Sequence, residues 1–469
     1  MTFDMNPIAW DTRVLLVIVL LVINFLLKLK SFRTPLDYDT SSHLYFAYLK
    51  RHKVPFLSSY GFGVKYILPR LYRIGMGWMK DNLHRFRVLN IVSSSLVIIL
   101  WVLSDPSMSI TEIPFYFLGV LLINSMWVNY PTSTSEFHSV VLVMTMFLLP
   151  QIVPFQVAWI LQLVLLALLV GGFKIVDAAY LLPVLAFYGE QVLAYNWWVG
   201  FGLVLFGVYV FRGLQHTHSS IRQYERKRTW INRKSLSFIA HCPHFCLLML
   251  LLGVGNILWT SWEWALFQLV LWGVLLIQRT FVSYLFYPSL VLGLFIAFQT
   301  QWLNAIPLPW SWFFVLAIFF GHTLFDILLR SPREIDIRYR KWISSGNWRS
   351  YLDTRDRQIQ WLKDHLKSSE YVYLWGSHVA LLLLSRLIHA PNTFYSHNHL
   401  IYWSDIKDKK NYAFNYLLKE QPRYVIESEI IENIKFPADR FKKLYTQIGS
   451  VGNMTVYERI GQKIKEGLT

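Results

Sequence analysis

Cysteine is scarce in this chain, with two residues among 469, Cys242 and Cys246. So few thiols exclude the disulfide framework that holds small secreted domains together. The thiols and the adjacent His241 and His244 are possible metal ligands, but the sequence has no second pair at similar spacing. Because the pair opens an apolar run, we interpret it as packing at a membrane interface.

The sequence also lacks a cleavage site after its first apolar run, an internal repeat and a low-complexity linker. We therefore expect the run at 14–27 to be a retained membrane span rather than a removed leader. Charged residues are scarce within the apolar runs. That scarcity disfavours a transporter, which is expected to carry charges along its substrate path.

What is abundant is apolar surface. Hydrophobic residues make up 54% of the chain, aromatic residues 17%, and the mean hydropathy is +0.36. These values predict a polytopic membrane protein with about eleven transmembrane helices. The expected spans are about 14–29, 88–104, 113–128, 138–151, 155–173, 175–189, 195–211, 242–258, 263–277, 283–299 and 311–329.

The net charge of +17 favours anionic partners, namely phospholipid head groups or a phosphate-bearing substrate, over nucleic acid. Between 87 and 330, Lys and Arg occur only at 174, within 212–234 and at 279. With eleven spans all of these face one side of the membrane, and Arg13 faces the other. The positive-inside tendency would make the basic side cytoplasmic.

The C-terminal segment changes character after about residue 330. Helical patterns are expected at 355–367, 378–388, 405–419 and 439–448, and strand patterns at 371–375, 423–427 and 454–458. This alternation predicts a small α/β domain with a mainly parallel sheet.

Two carboxylates, Asp37 and Asp39, lie just beyond the first apolar run. Acidic side chains are costly to desolvate, so carboxylates at a bilayer surface are candidates for function. A carboxylate there can accept a proton from a hydroxyl group, as general bases do. The alternative is that both side chains cap the helix predicted to begin near Ser42, which has Leu44 and Tyr48 on one stripe.

Several segments form an ordered pattern along the chain: 36–39 before 43–47, 87–90 entering the second span, 130–138 after the third span, 371–376 and 422–426. These segments and their order resemble the GT-C superfamily of polytopic glycosyltransferases that use lipid-phosphate sugars. The likeness is to the bacterial branch of protein mannosyltransferases and aminoarabinose transferases. A departure is that the common Asp-Glu doublet is here Asp39-Thr40.

The resemblance implies an inverting single displacement in which Asp39 is the base. Asp37 would orient the acceptor, tune Asp39 or share a cation with it. The implied donor is a polyprenyl-phosphate sugar, and the acceptor is a lipid, a glycan or a protein. Such donors are presented outside the cytoplasm, so the family layout places the basic, catalytic side there, in a bacterial plasma membrane, against the charge tendency.

A leaving lipid phosphate requires cations near the interface. Arg87 and Arg85 lie where the second span meets the first loop, and Arg222, Arg226 and Arg228 lie in a second large loop on the same side. We expect these residues to bind the donor phosphate. The alternative is that they anchor the chain on anionic lipid head groups.

A second acidic contribution is expected from Glu136, with His138 two residues later. Asp39 and Glu136 could share a divalent cation such as Mg²⁺ or Mn²⁺, which prefers oxygen ligands. The alternative is that Glu136 and His138 belong to an ordinary polar turn between spans.

The sequence thus predicts an all-α, GT-C-like membrane domain at 1–330, with a large first loop at 30–87, and a soluble α/β domain at 331–469 outside the cytoplasm. The predicted activity is glycosyl transfer at a membrane. Two alternatives stay open: a transporter or flippase of an anionic lipid-linked glycan, and a non-catalytic scaffold whose α/β domain recruits partners.

Overall fold

The structure is a computed structural model, and its chain forms two compact units. Unit 1 comprises Met1–Arg33, His84–His216 and Lys227–Ser345, and unit 2 comprises Thr34–Leu83, Thr217–Arg226 and Gly346–Thr469. The residues that the structure describes are 10–29, 41, 44, 45, 48, 49, 83–124, 135–172, 175–194, 202, 206, 207, 243–277, 283–329, 345–376, 378–389, 409–428 and 436–460.

Unit 1 is helical in its described part, and its helices coincide closely with the apolar runs of the sequence. They are α1 (Trp10–Leu29), α2 (Leu83–Ser104), α3 (Ile113–Asn124), α4 (Ser135–Ile152), α5 (Phe155–Gly172), α6 (Leu181–Ala194), α7 (Pro243–Leu258), α8 (Trp262–Ile277), α9 (Ser283–Thr300) and α10 (Leu308–Leu329). Short 3₁₀ turns at Ile175–Tyr180 and Trp302–Ala305 precede α6 and α10.

The expectation of about eleven transmembrane helices is wrong. Among the described residues, only α1 is long and apolar enough to cross a membrane, with 20 residues at a mean hydropathy of 2.4. The other apolar helices present 10–17 such residues, fewer than the roughly 20 that a hydrocarbon core of about 30 Å requires. Hydropathy located the helices but overstated the spans, because helices that bury one another have the same composition as spanning helices.

Apart from Asp11 and Thr12 in its first turn, helix α1 has its polar side chains on the buried face and its apolar side chains on the exposed face. The buried stripe is Arg13, Leu16, Leu20, Asn24 and Lys28. The Asn24 amide donates to the hydroxyl groups of two serines of α2, at 3.0 and 3.1 Å, and accepts from the amide of Asn124 at 3.0 Å. The exposed face carries valine, leucine, isoleucine and phenylalanine. This distribution is the reverse of that in a water-soluble amphipathic helix.

Tryptophans gather at one end of unit 1, which we call the tryptophan end. Helices α1, α8 and α10 begin there with Trp10, Trp262 and Trp310 in their first turns. The rings of Trp259 and Trp302, which follow α7 and α9, lie 5.3 Å apart.

Unit 2 contains a mixed five-stranded sheet flanked by helices. Its elements are α11 (Ser345–His365), β1 (Tyr371–Gly376), α12 (Val379–Ser385), β2 (Ile388–His389), α13 (Lys409–Glu420), β3 (Tyr424–Ser428), α14 (Ala438–Phe441), β4 (Tyr445–Val451) and β5 (Met454–Arg459). The strand order is β2-β1-β3-β5-β4. Strand β1 is parallel to β2 and β3, whereas β5 is antiparallel to β3 and β4.

Two expectations for this unit need correction. The sheet is mixed rather than mainly parallel, and the helix expected at 439–448 ends at Phe441, after which Tyr445–Val451 is a strand. The cause is a hairpin: Gly452 has a φ of 61°, which suits the first central position of a two-residue turn. The turn pairs β4 with β5, so Tyr445–Val451 forms a strand instead of continuing the helix.

The core of unit 2 is aromatic and lies between the sheet and α13. Tyr373 and Trp375 of β1 pack there with Phe414 of α13, Phe436 and Phe441. On the hairpin, α11 approaches so closely that a side chain at position 449 would meet the Trp361 ring. Any larger residue at that position would have to displace the tryptophan.

Candidate functional site

The sequence-predicted site residues fall into two groups. Asp37, Asp39, Arg222, Arg226 and Arg228 lie outside the described residues. Arg85 and Arg87 are in the first turns of α2, and Glu136 and His138 are in the first turn of α4.

The beginnings of α2 and α4 lie at the same end of unit 1, opposite the tryptophan end. Arg13 of α1 contacts the loop after α2, and Asn24 contacts the middle of α2, so α1 and α2 are antiparallel. Near the end of α4, Phe147 stacks on Phe267 in the second turn of α8, with the ring centroids 4.3 Å apart. Both α2 and α4 therefore end at the tryptophan end, and the backbone positions of Arg87 and Glu136 share the other end, which we call the arginine end.

The segment that follows the acidic motif is held by unit 2. Five residues at helical spacing are helical and buried, and we call them the tyrosine stripe: Ser41, Leu44, Tyr45, Tyr48 and Leu49. This agrees with the expected helix that has Leu44, Tyr48 and Leu49 on one side. The surface that the stripe packs against was not predictable from the sequence.

The stripe bonds to the backbone of β2 and the turn before it. Tyr45 Oη donates to the carbonyl oxygen of Leu387 at 3.0 Å and accepts from the amide of His389 at 2.7 Å. Tyr48 Oη donates to the carbonyl oxygen of Arg386 at 2.8 Å. The two phenol rings stack with their centroids 5.9 Å apart. The chain directly after Asp39 is therefore fixed to the edge of the sheet in unit 2.

A second polar cluster lies at the tryptophan end, and we call it the carboxyl cluster: Arg13, Asp105, Ser109, Thr111, Glu112, Tyr116 and Asn304. Its members are buried or half-buried. Arg13 donates to the backbone carbonyl of Asp105 at 2.6 Å, and Tyr116 donates to the Asp105 carboxylate at 2.8 Å.

Glu112 forms the other half of the carboxyl cluster. Its Oε2 accepts from the Ser109 amide at 3.0 Å. With the Asn304 amide turned so that its nitrogen faces the cluster, Oε2 also accepts from that nitrogen at 3.0 Å. Burial, followed by the neighbouring Asp105 carboxylate, raises the pKa of Glu112 to about 9. Glu112 therefore keeps its proton at neutral pH and donates it to Asp105. Burial also raises the pKa of Asp105, while Tyr116, Glu112 and Arg13 oppose that rise.

This cluster ties α1, the loop between α2 and α3, and the turn after α9 together. Because its carboxyl groups are buried and bonded to neighbouring side chains, its evident role is to hold these helices in register. The cluster was not among the sites expected from the sequence. A local signal was present, since Ser109 and Glu112 have the spacing of a helix capping box just before the apolar run of α3.

The cation predicted between Asp39 and Glu136 is not tested by the described residues, which exclude Asp39. Among the residues that the structure does describe, no group of three or more His, Cys, Asp or Glu side chains could hold a metal ion.

No protein-family model and no curated protein matches the chain. The assignment of function therefore depends on the residues and their arrangement.

Proposed function

We propose that the chain is a membrane glycosyltransferase that moves a sugar from a polyprenyl-phosphate carrier to a lipid, glycan or protein acceptor. The observation that carries this proposal is the anchoring of the tyrosine stripe. The stripe begins two residues after Asp39, so the candidate base is followed directly by a fixed helical segment. A general base needs such a fixed position relative to the hydroxyl group that it deprotonates.

The surface of unit 1 supports a location in a membrane. The exposed face of α1 is apolar, and its polar side chains are bonded inside the unit, as is expected of a helix in contact with lipid. At the tryptophan end, Trp10, Trp259, Trp262 and Trp310 are each 61–64% exposed. Exposed tryptophans at one level are typical of the boundary between lipid and water.

The proposed reaction is a single displacement with inversion at the anomeric carbon. The acceptor hydroxyl gives its proton to the Asp39 carboxylate while its oxygen attacks the anomeric carbon from the face opposite the phosphate. The bond from that carbon to the phosphate oxygen breaks, and its electron pair leaves with polyprenyl phosphate. Arg87 and Arg85 stabilise the developing negative charge, and Arg222, Arg226 and Arg228 hold the carrier phosphate.

Asp37 orients the acceptor hydroxyl. Glu136 and His138 supply polar contacts from the first turn of α4, at the arginine end shared with Arg87. A divalent cation, where one is bound by Asp39 and Glu136, would add positive charge next to the leaving phosphate.

The test is release of polyprenyl phosphate by the purified protein in liposomes. The probes are polyprenyl-phosphate-linked hexoses and pentoses, each supplied with membrane lipid extract as a source of acceptors. Turnover of at least one donor, with the sugar recovered on an acceptor in the inverted configuration, is the expected result. If none of the donors is consumed, the proposed activity is wrong.

Transport of an anionic lipid-linked glycan is the second candidate. The observation that favours it is the presence of buried ionisable side chains in unit 1, namely Arg13, Lys28, Asp105 and Glu112, since transporters carry such groups along their paths. The same liposomes separate the two functions. A flippase moves the labelled donor between leaflets without consuming it, whereas a transferase cleaves it.

A further inference from the structure

We propose that Tyr45 is a positioning residue whose hydroxyl group clamps the segment after Asp39 onto the edge of the sheet in unit 2. The α/β unit thereby determines where the base is placed. This inference depends on the proposed function, because it assigns the α/β unit a part in the same site.

The clamp uses the edge of the sheet that no other strand of the described residues covers. Strand β2 is the outermost strand and pairs with β1 through Ile388, whose amide donates to the carbonyl oxygen of Glu370. Backbone groups of alternate residues in a strand point the same way, so the carbonyl of Leu387 and the amide of His389 point away from β1. The Tyr45 hydroxyl bonds both of them and takes the place of a neighbouring strand.

The clamp is buried, so its bonds are not exchanged easily for bonds to water. Tyr45 and Leu387 have no exposed surface, and His389 is 2% exposed. Burial raises the pKa of Tyr45 well above its ordinary value, and the hydroxyl therefore keeps the proton that it donates to Leu387. Without the hydroxyl group, a buried amide and a buried carbonyl would both lose this hydrogen bond.

Tyr48 provides a second tie at a different backbone group, which makes it a matched control. Its hydroxyl group donates to the carbonyl oxygen of Arg386, the left-handed residue that ends α12. Tyr48 lies one helical turn after Tyr45 and is therefore farther from Asp39 along the chain.

The link to the base is covalent. Ser41, the first residue of the tyrosine stripe, follows Asp39 by two residues, and two residues span at most about 7 Å. Fixing the stripe therefore restricts the volume in which the Asp39 carboxylate can lie. A shift of about 1 Å in a catalytic group is enough to lower a rate severalfold to a hundredfold.

The first test measures the clamp directly, without a substrate. Amide hydrogen exchange is followed in the full-length protein in detergent for the wild type, Tyr45→Phe and Tyr48→Phe. We expect Tyr45→Phe to speed exchange of the His389 amide and of peptides covering 36–49 by about tenfold or more. Tyr48→Phe should leave the His389 amide protected. Wild-type protection of His389 in Tyr45→Phe overturns the proposal.

The second test measures donor turnover with the polyprenyl-phosphate sugar that the wild type consumes. Tyr45→Phe should lower kcat by about tenfold, with the donor KM within about twofold of the wild type, because the phosphate contacts are unchanged. A purely structural role predicts instead a lower Tm with an unchanged kcat of the folded protein. That outcome overturns the proposal.

A third variant separates the two possible failures. If Asp39→Asn abolishes turnover while Tyr45→Phe has the wild-type kcat, the positioning role is wrong and the proposed function stands. If Asp39→Asn turns over donor at the wild-type rate, the proposed base is wrong whatever Tyr45 does. Should Tyr45→Phe fail to fold, Tyr48→Phe replaces it, with an expected fall in kcat of about threefold. An unchanged kcat in that variant then counts against the clamp.

Discussion

The phenol of Tyr116 donates to the carboxylate of Asp105 at 2.8 Å, and its ring stacks on Phe298 with the centroids 4.0 Å apart. One side chain of α3 thus joins the carboxyl cluster to α9. Because both ends of this contact are buried, its loss should be measurable in the stability of unit 1.

Replacing Tyr116 by Phe keeps the stack and removes the hydrogen bond to Asp105. We expect Tyr116→Phe to lower the free energy of unfolding by about 1–3 kcal/mol, because a buried carboxylate loses a donor. Thermal unfolding in detergent measures the effect. In the double variant with Asp105→Asn, the added cost of Tyr116→Phe should shrink. Full additivity would show that the two side chains are not coupled.

Glu112 makes the free energy of unfolding fall as the pH rises. Its pKa in the folded protein, about 9, is above the ordinary value of 4.5, so the folded state binds more protons than the unfolded state between these values. The stability contributed by this group is therefore fully present below pH 4.5, falls as the pH rises, and is lost above about pH 9.

Glu112→Gln imitates the protonated side chain and removes that titration. At pH 4.5 the variant should unfold within about 1 kcal/mol of the wild type. At higher pH it should be the more stable of the two, because its Tm falls less steeply up to about pH 9. Tm measured across this range compares the two slopes. Equal slopes would show that Glu112 titrates normally in the folded protein.

Two glycines of unit 1 make a matched pair for testing the packing of α7 against α8. A Cβ at Gly253 would meet the Trp272 ring, whereas one at Gly273 would meet nothing within 4 Å. Gly253→Ala should destabilise by about 1–3 kcal/mol, because the tryptophan must move. Gly273→Ala should be neutral or stabilising by about 0.5–1 kcal/mol. Thermal unfolding of both variants tests this packing, and equal Tm values would contradict it.

The exposed face of α1 predicts contact with lipid. Val22 is 51% exposed and Leu20 is fully buried, so nitroxide labels at the two positions of a cysteine-free protein should differ in liposomes. The label at position 22 should collide with oxygen, which dissolves in lipid, and not with a water-soluble nickel complex. Collision with nickel at position 22 would place this face in water and contradict a membrane location.

The helices were predictable because their apolar runs are long and bounded by polar residues. The spans expected at 283–299 and 263–277 correspond to helices α9 (Ser283–Thr300) and α8 (Trp262–Ile277). What each run packs against was not predictable. For that reason the expected number of transmembrane spans was wrong. A run that faces lipid and a run that faces other helices have the same composition, and the two are distinguished only by tertiary contacts.

The contacts of the site come from distant parts of the chain, which explains why sequence patterns did not reveal them. Arg13 and Asp105 are 92 residues apart, and Tyr45 and His389 are 344 apart. Local patterns predicted the apolar stripe containing Leu44 and Tyr48, but not the strand edge that it contacts. The roles of Asp39 and Asp37 stay predictions from their place in the motif.

The most direct test of the central claim is donor turnover by Asp39→Asn. The variant is purified alongside the wild type and Asp11→Asn, a matched change at an acidic residue in the exposed first turn of α1. We predict that Asp39→Asn has the wild-type Tm and releases no polyprenyl phosphate, while Asp11→Asn retains the wild-type rate. Release by Asp39→Asn at the wild-type rate would contradict the claim that this carboxylate is the base.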